Sequence, residues 1–119
     1  MDFYNLLQDL RIDSTDALRR FGNQQSILER FLLKFLDDST MLALKDAFSC
    51  HDEGGFESHA HTLKGIANNL GLHELGAICS KSVQAIREGD FSKALEIFPE
   101  IQDEYTRIIK ILEDYKNNN

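Results

Sequence analysis

The chain has 119 residues and a formal net charge of −7. That length fits a single domain, 1–119, able to bury a core without staples. The acidic balance argues against a nucleic-acid backbone or an anionic membrane as partner, and no apolar run is long enough to span a bilayer.

Read in chain order, the apolar residues fall at helical spacing throughout. Phe3, Leu6, Leu7 and Leu10 predict a short N-terminal helix. Asp13 or Ser14 caps a second short helix that ends at Gly22. Asn23 starts a longer one, with Ile27, Phe31 and Phe35 on its core face and Leu28 and Leu32 widening it. Asp37-Asp38-Ser39 marks a boundary before a helix through Met41, Leu44 and Phe48.

Gly54-Gly55 reads as a loop, after which Phe56, Ala60, Leu63, Ala67 and Leu70 form the apolar stripe of the next helix. Gly71 is its left-handed stop. A helix from about Leu72 to Glu88 follows, with Leu72, Leu75, Cys79 and Ile86 on one stripe, ended by Gly89. Asp90 caps the last helix, in which Pro99 should impose a kink or a restart. The tail from about residue 116 is expected to fray. No stretch alternates at period two. The fold class expected is therefore all-α: an antiparallel four-helix bundle with additional short N-terminal helices.

The helix after Gly55 carries the chemistry. His61, Lys64, Gly65 and Asn68 stand at i, i+3, i+4 and i+7, on one face turned away from the stripe. A mid-helix glycine costs about 1 kcal/mol relative to alanine. Its usual explanation is close helix packing. Here it points outward, so it also reads as clearance for something approaching His61. Lys64 by itself is an ordinary solvated lysine, but one turn from a histidine it is placed to neutralise phosphoryl oxygens.

The run His61-Thr62-Leu63-Lys64-Gly65, followed by Leu70-Gly71, resembles the signature of histidine-containing phosphotransfer (HPt) domains of phosphorelays. The likeness continues through Cys79, Ala85 and Gly89-Asp90. It implies His61 as the phosphorylated residue, Lys64 as the cation that steadies the phosphoryl group, and Gly65 as clearance for a docking receiver domain. Arg87 matches a position where some family members put a basic residue near the docking surface, and Asn68 joins it as an expected partner-binding residue. The family often carries a glutamine or glutamate that hydrogen-bonds the imidazole; the matching position here is Val83, which cannot.

The function expected is phosphotransfer: His61 takes a phosphoryl group from a receiver phosphoaspartate and passes it to another receiver aspartate. The chain is then a phosphocarrier, with no turnover of its own. Response-regulator receivers and a hybrid histidine kinase are the expected partners, and Mg²⁺ is expected from the receiver. A cytoplasmic location is expected, since the N-terminus has no signal-peptide core. Met1 and the polar tail favour a free-standing protein, expected to be a monomer, over the rival reading of a phospho-accepting domain cut from a larger histidine kinase. Two readings stay open: a non-phosphorylated adaptor using the same face, and a metal-binding bundle. Against metal, His59 and His61 point about 200° apart on a helix, and no Glu-x-x-His occurs. His51, His59 and His73 read as surface residues, Cys79 as a buried small hydrophobe, and Cys50 as a residue at a helix end.

Overall fold

A computed structural model describes residues 2–118. Among them the chain is helical with no strand: α1 (Phe3–Asp9), α2 (Ser14–Arg20), α3 (Gln25–Lys34), a 3-10 turn (Phe35–Asp37), α4 (Thr40–Ser49), α5 (Glu53–Asn69), α6 (His73–Arg87) and α7 (Phe91–Asn117). Helices α4 to α7 each pack against the next through short connections, which makes them antiparallel neighbours. Phe48 of α4 stacks on Phe98 of α7, with ring centroids 4.2 Å apart, and this closes the bundle. Phe56 of α5 meets both Phe91 and Phe98 edge-on.

The caps explain where the helices start. Asp2, Asp13, Asp52 and Asp90 each accept a hydrogen bond from the backbone N–H three residues on. At α4 the donor is the Thr40 N–H and the acceptor is Asp38, two residues earlier, at 2.8 Å. The core is aliphatic. Leu6, Leu28, Leu32, Leu44, Leu63, Leu75, Ile101, Ile108 and Leu112 are fully enclosed. Each such side chain contributes roughly 1.5–3 kcal/mol of burial. Among the described residues, two polar or charged side chains lie inside. Ser82 donates to the Cys79 carbonyl at 2.7 Å, and Glu104 receives both arms of Arg107 at 2.8 and 2.9 Å.

Three expectations shift. Gly54 and Gly55 belong to the first turn of α5, not to a loop, because Asp52 caps the helix ahead of them. A Cβ on Gly55 would collide with that capping carboxylate. Asn23 precedes α3 in a left-handed conformation (φ +58), so the helix begins two residues later. Pro99 does not restart the last helix: α7 runs through it to Asn117. Ile97, Phe98 and Ile101 are buried on both sides of the proline, and that packing outweighs its cost of about 3 kcal/mol. Helix α7 runs to Asn117; of the tail expected to fray, Asn119 lies outside the described residues.

Candidate functional site

Helix α5 is fixed at both ends and along one side. Asp52 holds its start. At its end the Leu72 N–H donates back to the Ala67 carbonyl at 2.8 Å, which requires the left-handed Gly71 (φ +86). A side chain there would also stand 3.0 Å from Ile12 Cγ2. Phe56, Ala60, Leu63 and Ala67 are completely buried against the bundle. The rotation of α5 about its axis is thereby set, and it turns His61 and Gly65 to the outside.

His61 is exposed. Among the described residues its ring takes part in no hydrogen bond or ion pair, and Lys64 has no such partner either. Nothing lies within 4 Å of the place where a Gly65 Cβ would be. Close packing therefore does not account for this glycine. Lys64 is half-buried, and its charge reaches the Cys79 thiol on α6. Burial pushes that thiol up to about 12, with Lys64 acting in the opposite direction. Cys79 is thus inert interior, as its stripe predicts, while Cys50 is exposed at the end of α4.

Asn68 does not simply extend the exposed strip. Its amide covers Gly76 of α6, where a Cβ would lie 2.7 Å from Asn68 Cγ. Asn68 Oδ1 stands 3.3 Å from His73 Nδ1, and the Asn68 carbonyl accepts from Arg20 Nη1 at 2.5 Å. His73 is exposed, as expected, but its other nitrogen lies 3.5 Å from Asp16 Oδ2, so it links α2 to the α5–α6 turn. Arg87 is exposed and donates from Nε to Glu57 Oε2 at 3.1 Å. The register that matches Asn68 with Gly76 and Glu57 with Arg87 sets Val83 across from His61, and Val83 is buried.

On the other flank of Gly65 runs a groove lined by Phe31, Lys34, Phe35, Asp38, Ile66, Asn69 and Leu70. Phe31 remains 38% exposed and packs on Phe21 at 5.4 Å. Sequence periodicity puts Phe31 on the core face of α3. The widening of that face by Leu28 and Leu32, both fully buried, is the signal that Phe31 lies at its margin. His59 borders a different groove with Asp46, Cys50 and Asp52. Among the described residues no three histidine, cysteine or acidic side chains are grouped so as to hold a metal ion. Nor, among them, is any helix long and apolar enough to cross a membrane.

The site is the outer face of α5, where the exposed and unpartnered His61 imidazole stands with Lys64 and the open position at Gly65 beside it. Residues 26–111 match the family model of the Hpt domain, and the chain belongs to that family. Membership puts it among the phosphotransfer domains of phosphorelay signalling. The phosphorelay intermediate protein rdeA of Dictyostelium discoideum is 23% identical over 111 residues, which cover 93% of this chain and 42% of the relative. The chain thus spans less than half the length of that relative. No solved structure matches.

Proposed function

We propose that this chain is a phosphocarrier in which His61 receives a phosphoryl group from the phosphoaspartate of one receiver domain and delivers it to the aspartate of another. The observation that carries the reading is the pairing of an exposed, unpartnered His61 with open space at Gly65 one turn away. A neutral imidazole is a competent nucleophile near neutral pH. One ring nitrogen attacks phosphorus. The N–P bond forms as the P–O bond to aspartate breaks, and the electron pair returns to the carboxylate. The other ring nitrogen carries the proton throughout.

Such transfer depends on in-line positioning and charge neutralisation. Lys64 supplies a cation from this side, and the receiver supplies Mg²⁺ and its own acidic pocket. Gly65 and the apolar groove beside it, with Phe31 and Ile66, offer a smooth surface on which that pocket can close over His61. With both partners bringing the rest of the machinery, the chain needs no turnover of its own. Receivers and a hybrid histidine kinase are the partners of this reading, and it has the chain working as a cytoplasmic monomer. The adaptor reading is less favoured because an adaptor has no use for a histidine, a lysine and a cleared position on one face.

The test is reconstitution. The chain is mixed with a panel of receiver domains charged by a small acyl phosphate, and the label is followed. The label should appear on the chain in acid-labile, base-stable form. If binding occurs with no transfer from any receiver, the adaptor reading is the right one.

A further inference from the structure

The resemblance casts Arg87 as a residue near the docking surface, and in the structure its guanidinium is engaged by a carboxylate of the chain itself. Arg87 Nε donates to Glu57 Oε2 at 3.1 Å, across the antiparallel α5–α6 pair. Glu57 lies one turn before His61 on α5, a spacing that puts Cβ atoms about 5–6 Å apart. Phosphoryl transfer through His61, on which this inference rests, brings an anionic group to that spot. An uncompensated carboxylate there would oppose the approach and cancel the charge of Lys64. The other lysine or arginine of α6, Lys81, faces Glu100 of α7 at 3.8 Å.

The Glu57–Arg87 pair also does little for the fold. The two side chains are 35% and 54% exposed, and open surface pairs of this kind contribute little to stability. The pair's place is local to the site: it compensates one carboxylate on the turn before His61.

We infer that Arg87 is a positioning residue that acts through Glu57, shielding the His61 face from the charge of that carboxylate. It is not a contact residue for the receiver. A shield and a direct contact respond differently to loss of the carboxylate. If Arg87 works by neutralising Glu57, removing the carboxylate removes the need for the arginine. If Arg87 binds the receiver, it does not.

The experiment measures the rate of transfer from a charged receiver domain to the wild type, to Arg87→Ala, and to the double variant Glu57→Gln/Arg87→Ala, at low and at high salt. Arg87→Ala should slow transfer roughly threefold to tenfold at low ionic strength, as expected for one unit charge near the surface at this range. The double variant should regain most of that loss. Added salt should shrink the gap between the single variant and the wild type, because it screens exposed charges. A double variant as slow as Arg87→Ala would overturn the shield in favour of direct contact. An Arg87→Ala protein that transfers at the wild-type rate would overturn it too. Failure of the wild type to accept phosphoryl from any receiver is a different result: it would remove the phosphocarrier reading, and the shield with it.

Discussion

The amide of Asn68 fills the space that a Gly76 side chain would occupy, locking the C-terminal turn of α5 onto the start of α6. Two residues that look unrelated in sequence therefore form one unit. Gly76→Ala should push Asn68 aside and break its contact with His73, costing about 1 kcal/mol despite alanine's better helix propensity. In an Asn68→Ala background the same change should be neutral or stabilising. Urea unfolding of the two single variants and the double variant checks both statements. Equal effects of Gly76→Ala in the two backgrounds would show that the pair is not coupled.

Gly65 presents the opposite case, since nothing lies near its absent side chain. Gly65→Gln should raise thermal stability slightly, by up to about 1 kcal/mol, because glutamine is the better helix former. Transfer from a charged receiver should nevertheless fall by at least about tenfold, since a bulky side chain blocks closure over His61. Calorimetry and transfer kinetics on the same preparation separate the two effects.

For Lys64 the prediction is graded. Lys64→Ala should slow transfer by roughly tenfold to a hundredfold without abolishing it, because the lysine stabilises charge but makes no bond to phosphorus. The stem of the half-buried lysine also covers apolar surface, so a small loss of stability accompanies the change. Lys64→Arg should restore part of the rate. Complete loss of labelling in Lys64→Ala would mean that the lysine does more than neutralise charge.

Much of this site is legible in the amino-acid sequence. The apolar stripe from Phe56 to Leu70 defines a helix axis, and a defined axis fixes which residues face outward. His61 and Gly65 follow directly, as does the stop at Gly71. The stripe cannot say which outward residues also meet a neighbour. Asn68 and Lys64 stand at the border nearest α6, where side chains bend toward the adjacent helix, and only the α5–α6 register decides their contacts. The same holds for Phe31. It sits at the margin of a face wider than α3 can bury, so periodicity assigns it to the core while packing leaves it open. Gly54-Gly55 misleads for a local reason: glycines usually signal a loop, yet here one of them makes room for the Asp52 cap.

The most direct test of the central claim is nitrogen and phosphorus NMR of the imidazole-labelled chain after exposure to a charged receiver domain, with His61→Gln run alongside. The account predicts one nitrogen–phosphorus coupling, assigned to the His61 ring, and a folded His61→Gln protein that shows no coupling and takes up no acid-labile phosphate. Coupling at His51, His59 or His73, or undiminished labelling of His61→Gln, would contradict it.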